Sequence, residues 1–479
     1  MILKNRKKKF LGFLSLLLFL LSIPSIDVKA IDYNKLAEER KSLEIQSNTY
    51  DNWPLGPAIG AQSAILMDAN TGAILYAKNI HEKLYPASIT KLLSTYVALE
   101  ECELDEMVTF SEDAVYSINW WEDANMGVYA GSSLTLEEVL YGILVGSANE
   151  AAYAVAEHVS GNLENFAILM NKKAKELGCL NTNFVTPNGI HDENHYTTAY
   201  DMALIAQAFF SNETLTKMSS TTRFDVPVTK NQPREGIILT AKSQLLPGKT
   251  YAYEPLVGTK TGYTDQARQT LVSCAEKNGL KLICVILKEE SPAQFTDTIE
   301  LFNYGFENFE AISLDSVDNE YAIDNHFFTR DIDLLGNSKT ILSLNKKDYI
   351  VLPNTISFED LSSKVSFDEK NENSVACINY YYKNYLLGKI HVDLAVEEPI
   401  VFDFGNQKNS TLNIIETQNQ NTIYINVFHV LIGFILITIA FSILFSILSL
   451  SKNKRNAKKR KNRLRKTILH GNHWDINRF

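Results

Sequence analysis

Cysteine is scarce in this chain: five in 479 residues, at positions 102, 179, 274, 284 and 377, with no C-x-x-C pair and no tight His/Cys cluster. An odd number leaves at least one thiol unpaired, so neither a disulfide framework nor a zinc site built on cysteine spacing finds support. Cys274 and Cys284 fall in apolar runs of strand character, where a free cysteine acts as a small apolar filler. No internal repeat is present, which sets repeat architectures aside. Positive charge is outnumbered in the middle of the chain. The net charge is −10, yet residues 1–30 carry +5 and residues 451–479 carry +10, leaving −25 on residues 31–450. So acidic a body argues against nucleic acid as a partner.

Two uncharged apolar runs stand near the ends. Residues 10–23 follow Lys4, Arg6, Lys7, Lys8 and Lys9 and precede a small-residue site at Val28-Lys29-Ala30. That is the pattern of a cleaved secretory signal over residues 1–30, and the run is too short to span a bilayer. Residues 427–450 carry no charge and are long enough to cross the hydrocarbon core. Ten Lys or Arg residues follow at 452–466, which places the C-terminal tail, 451–479, in the cytoplasm and the bulk of the protein outside the membrane. The tail's position directly after the span favours anionic lipid headgroups over RNA.

Between these ends the pattern is that of an α+β protein. Residues 63–76 read as a hairpin around Asn70-Thr71-Gly72. Helices dominate from 88 to about 177, one of them opened by a Thr135/Glu138 capping box and another covering about 150–159. Strands return at 256–261, 269–275 and 281–287, the last two joined by a Lys277-Asn278-Gly279 turn. A helix over about 293–304 closes the domain, which we bound at 31–306. Strands first and last with helices between predict one antiparallel sheet joined from both chain ends, with helices against it. Residues 307–403 read as a small β-rich domain, and 404–426, rich in Asn, Gln, Ser and Thr, as a linker.

Three short motifs occur in order: Ser88-Ile89-Thr90-Lys91, Ser147-Ala148-Asn149 and Lys260-Thr261-Gly262. Each alone is weak. S-x-x-K also occurs at Ser343–Lys346 and Ser449–Lys452, and S-x-N at Ser117–Asn119 and Ser160–Asn162. Taken singly, Ser88 and Ser147 read as helix caps and Lys260 as an exposed strand lysine. Placement separates the candidates. Ser88 follows Pro86 at a predicted helix entrance, so Ser88 and Lys91 share a face one turn apart. A neutral, buried Lys91 there could take the serine proton and make the hydroxyl a nucleophile. Ser147 and Asn149 fall between two predicted helices, where a hydroxyl could relay a proton and an amide could hold substrate or orient Lys91. Lys260 ends a strand and brings positive charge, Thr261 brings a hydroxyl for an anionic substrate end, and Gly262 lets substrate approach the backbone. The N–H groups of Ser88 and Tyr263 are candidates for an oxyanion hole. Together the motifs describe acyl transfer through an acyl-enzyme.

On these residues the chain resembles the serine-type D-Ala-D-Ala carboxypeptidases, the low-molecular-mass penicillin-binding proteins. Pro86–Lys91 resembles their nucleophile segment, Phe184–Gly189 and His195–Ala199 a characteristic loop, and Lys260–Thr264 with Leu271–Ser273 their last motif. The likeness covers about 58–306, and more loosely extends to about 403. It implies a β-lactamase/transpeptidase-like fold with a trailing β-domain, a stem peptide ending in D-Ala-D-Ala as substrate, β-lactams as inhibitors, and no metal or organic cofactor. Two departures stand out. Arg268 replaces the small residue usual soon after the K-T-G strand, and 291–298 lacks an arginine that some relatives carry. Arg268 is left with two readings, a clamp for the substrate carboxylate or a surface charge. His191 and His195 have a metal-like spacing, but Pro187 and Gly189 make the segment a loop, and structural hydrogen bonding is expected. Two rival functions remain, a β-lactamase with Glu176 as a poorly spaced base, and a non-catalytic wall-binding ectodomain.

Overall fold

The computed structural model describes residues 32–313, 342–367 and 374–394; the secretory signal, the linker, the membrane span and the basic tail expected above lie outside the described residues. Among the described residues, no helix is long and apolar enough to cross a membrane. Helix α1 (Tyr33–Arg40) leads in, followed by strands β1 (Ser63–Asp68) and β2 (Ile74–Lys78). A 3-10 turn (Ala87–Thr90) runs into α2 (Lys91–Glu101). The helical middle holds α3 (Glu112–Tyr116), α4 (Leu136–Leu144), α5 (Asn149–Ser160), α6 (Leu163–Glu176), α7 (Ala199–Ser211) and α8 (Glu213–Ser219). Two small ribbons lie within it, β3 (Met107–Thr109) with β4 (Ser133–Thr135), and β5 (Arg223–Asp225) with β6 (Ile238–Thr240). Then come β7 (Leu256–Thr264), β8 (Arg268–Lys277), β9 (Leu280–Glu289) and α9 (Ala293–Asn308).

The five-stranded sheet has the order β2-β1-β9-β8-β7 and is antiparallel throughout, so both chain ends do join one sheet. Strands β1 and β9 and the middle of β8 read as nearly unbroken apolar runs because both faces are covered. Ile65 and Met67 of β1, Val272 and Cys274 of β8, and Ile283 and Val285 of β9 enter the core shared with α2 and α4 to α8. Their neighbours Leu66, Leu271, Cys284 and Ile286 enter the other core, against α9. This is period-2 alternation between two apolar layers rather than between core and water. Local signals act as expected. Thr135 and Glu138 form the capping box of α4, and Asn278 and Gly279 both take positive φ in the β8–β9 turn.

A second antiparallel sheet contains β10 (Phe309–Ile312), β11 (Leu342–Leu344), β12 (Ile350–Pro353), β13 (Ser362–Ser366), β14 (Ser374–Tyr382) and β15 (Tyr385–Leu394), with path β10-β12-β15-β14-β13 and β11 on β15. The Tyr349 hydroxyl donates to Asp68 Oδ2 (2.9 Å) and accepts from Asn70 Nδ2 (2.8 Å), tying this sheet to the first hairpin.

Candidate active site

Ser88 sits in the 3-10 turn ahead of α2, and Lys91 is the first residue of that helix. Three residues of helical rise bring Lys91 Nζ to 2.8 Å from Ser88 Oγ. The turn is held from two sides. Thr270 Oγ1 of β8 donates to Pro86 O (2.8 Å), and Thr90 Oγ1 donates to Ala87 O (2.8 Å). Ala87 has φ of +53°, strain that persists only where neighbours over-determine the backbone. Lys91 is wholly buried and also donates to Asn149 Oδ1 (2.6 Å) and Asn188 O (2.9 Å). Burial first, then the charge of Lys260, holds its ammonium well below the ordinary lysine range, while Glu150 and Asp123 pull the other way.

A second lysine–serine pair stands opposite. Lys260 Nζ of β7 donates to Ser147 Oγ (3.0 Å) and to Thr261 O (2.9 Å). Ser147 has φ of +60°, another non-glycine residue in the left-handed region beside the same lysines. Burial, then the charge of Lys242, pushes Lys260 down to about 7. Asn149 opens α5, and its backbone N–H donates to Ala124 O (2.8 Å), clipping the wall of the cleft to that helix. Gly262 is required by space: a Cβ there would stand 2.8 Å from the Ser88 nitrogen and 2.4 Å from Thr270 Oγ1. Gly189 is required for the same reason, since its Cβ would meet Ala87 O at 1.9 Å. Ser88, Ser147, Asn149, Thr261 and Tyr263 all line one cleft of about 670 Å³.

Arg268 is held by Glu290 and also donates from Nη1 to the hydroxyl of the cleft-lining Tyr263 (3.3 Å). Its guanidinium pairs with Glu290 (Nη2–Oε2 2.7 Å, Nε–Oε2 3.1 Å), lies 3.7 Å above the Tyr33 ring, and the side chain is only 16% exposed. Among the described residues lining the cleft, the one cation is Lys242. Gln294 lines it too, 3% exposed and with Oε1 unpartnered. The S-x-x-K at Ser343 begins on strand β11 and not at a helix entrance, and that at Ser449 lies outside the described residues. Glu176 ends α6 in an ion pair with Lys173 (2.9 Å).

His195 is a structural residue. Its Nδ1 accepts from the backbone N–H of Val185 (3.0 Å) and Thr186 (3.2 Å), so Nε2 carries the proton and donates to Thr90 Oγ1 (2.9 Å). Burial pushes it down to about 4, leaving it neutral while it fixes the 184–189 loop against the nucleophile turn. Three residues of the site had not been singled out. Glu150, which accepts from Met126 N (2.6 Å) and Gly127 N (3.1 Å), directly follows the S-x-N motif. Asn188, whose carbonyl holds Lys91, lies inside the segment that carried the resemblance. Lys242 had no sequence signal.

A family model described as D-alanyl-D-alanine carboxypeptidase matches residues 50–291. The chain is 33% identical over 261 residues to a D-alanyl-D-alanine carboxypeptidase of Bacillus subtilis, covering 52% of this chain and 63% of the relative. It is 36% identical over 262 residues to one of Haemophilus influenzae, covering 53% of this chain and 64% of that relative. The chain thus spans a little under two thirds of the length of these curated relatives. Among solved structures, penicillin binding protein 5 from Haemophilus influenzae superposes with a TM-score of 0.55 at 27% identity, over 71% of this chain and 98% of that one.

Proposed function

The chain belongs to the D-alanyl-D-alanine carboxypeptidase family, and from that premise we propose that it removes the terminal D-alanine of peptidoglycan stem peptides through an acyl-enzyme on Ser88. The observation that carries this is the coordination of Lys91: three partners around one buried nitrogen, one of them the Ser88 hydroxyl at 2.8 Å. A neutral amine has two N–H groups and one lone pair. The N–H groups match Asn149 Oδ1 and Asn188 O, which leaves the lone pair facing Ser88. As Ser88 Oγ attacks the carbonyl of the penultimate D-alanine, its proton passes to Lys91 Nζ. The N–H groups of Ser88 and Tyr263 receive the developing oxyanion. When the C–N bond breaks, the proton that Lys91 accepted passes by way of Ser147, whose oxygen lies 3.0 Å from Lys260 Nζ, to the departing D-alanine, and Lys91 is neutral again. Water then hydrolyses the ester, with Lys91 again taking a proton. The reaction so written needs no cofactor, and β-lactams mimic the scissile amide and acylate Ser88.

The substrate's free carboxylate needs a cation. The pairing of Arg268 with Glu290 favours Lys242, beside Thr261, for that part. Lys242→Gln is expected to raise KM for a D-Ala-D-Ala peptide about 10- to 100-fold, the worth of one charge-assisted hydrogen bond, with Lys242→Arg recovering most of the loss. Arg268→Gln instead lowers thermal stability, because the buried Glu290 then keeps only Arg40, at 3.5 Å, as its cation. Steady-state kinetics on the free acid and its methyl ester check this: an equal KM rise on both would remove Lys242 from carboxylate binding.

The direct test of function is D-alanine release from diacetyl-L-Lys-D-Ala-D-Ala by the full chain, blocked by prior penicillin treatment with a stable adduct on Ser88. No release would return the chain to a binding role, and fast penicillin turnover would make it a β-lactamase. The membrane anchorage belongs to the same proposal: the apolar run at 427–450 with its basic flank supports a single-pass protein whose catalytic domain faces the wall.

A further inference from the structure

The two helices that begin with Lys91 and Asn149 end close together, and metal-type donors meet where they end. Cys102 caps the C-terminus of α2, Glu106 follows in the turn to β3, and His158 lies in the last turn of α5. We propose that Cys102, Glu106 and His158 bind a divalent cation of zinc type, which fastens the C-terminal ends of α2 and α5 about 16 Å behind the reactive groups at their starts.

Cys102 Sγ, a Glu106 carboxylate oxygen and a His158 ring nitrogen all lie within 4.8 Å of one another. Tetrahedral zinc, at about 2.0–2.3 Å from each donor, sets its ligands about 3.3–3.8 Å apart, so small side-chain rotations close the site. Two of the donors are already oriented. His158 Nε2 stands 3.0 Å from Glu106 Oε2, and Glu106 Oε1 accepts from the Glu103 backbone N–H (2.8 Å). Thiolate, imidazole and carboxylate together form a set suited to zinc, with water completing the tetrahedron. The surroundings favour a cation. Glu100, Glu101, Glu103 and Asp105 crowd the same turn, and the negative poles of two helices of 11 and 12 residues point at it. Lys173, the nearby cation, is already paired with Glu100 and Glu176. Access is adequate too: Cys102 is the only one of the five cysteines not buried, and the Glu106 side chain is 43% exposed. On binding, the Cys102 thiol gives its proton to solvent as the metal–sulfur bond forms. Sequence spacing hid the set because 56 positions separate Cys102 from His158.

The full chain, freed of metal, tests this. Zinc titrated against a chromophoric chelator should bind one equivalent, and saturating zinc should raise Tm by roughly 5 °C. Cobalt(II) should give a thiolate charge-transfer band, which only Cys102 can supply because the other four thiols are buried. Cys102→Ser and His158→Ala should each lose the equivalent and the Tm rise, while penicillin acylation of Ser88 in metal-free buffer stays unchanged. Two results overturn the proposal: cobalt binding by the wild-type chain without a thiolate band, which holds even where a variant fails to fold, or equal zinc uptake by the wild type and the variants.

Discussion

Ser88→Ala is expected to lower D-alanine release about 10⁴- to 10⁶-fold, the scale on which nucleophile removal acts in serine hydrolases. The loss should fall on kcat, because the groups expected to hold substrate, Thr261, Asn149 and Lys242, are untouched. The fold should survive. Ser88 is only partly buried, and removing its hydroxyl leaves Lys91 Nζ with Asn149 Oδ1 and Asn188 O. A single hydrogen bond is lost from a group that keeps two, so the cost is about 1 kcal/mol or less. Three measurements settle it: D-alanine release, intact mass after penicillin, and a thermal melt. A variant that still releases D-alanine at the wild-type rate, or gains the penicillin mass on another residue, removes Ser88 from the chemistry.

The fold was legible where one physical cause dominated. The Asn278-Gly279 turn, the Thr135 cap and the apolar β-runs each point to one local structure, and tertiary packing agrees with them. The unbroken character of β1, β8 and β9 was informative in itself, because a strand with one wet face would alternate with polar residues. The candidate site was legible only in part. Ser88 and Lys91 are near in sequence, so helical rise alone predicts their contact. The meeting of Lys91 with Asn149, and of Ser147 with Lys260 across 113 positions, depends on tertiary packing that no local pattern encodes. Arg268 shows the limit. Sequence offered a substrate clamp or a surface charge, and the structure pairs it with Glu290, 22 positions away on the neighbouring strand's exit. Lys242 shows the reverse, an unmarked lysine placed in the cleft by packing alone.

Lys91→Arg is expected to cost about 10²- to 10⁴-fold in kcat/KM despite keeping the charge and most of the hydrogen bonds, because guanidinium does not lose a proton in the working range. The wild-type pH profile carries the same argument. In the folded protein Lys91 is held well below its ordinary value by burial and by Lys260. As pH rises through that depressed value, Lys91 becomes neutral, and kcat/KM should climb. Burial pushes Lys260 down to about 7, so its loss of charge beside Ser147 as pH rises through that value should bend the profile down. The two lysines interact, so the limbs belong to the pair. Lys260→Arg should therefore move the alkaline limb upward, and Lys242→Gln should do so as well by relieving Lys260 of a like charge. Stability has the same sign. The unfolded chain binds more protons than the folded one between the folded and unfolded lysine values, so these two groups make stability grow with pH across that window and weaken it as pH falls. If Lys91→Arg kept the wild-type rate and an unaltered acid limb, the proton from Ser88 would have to go to some other base.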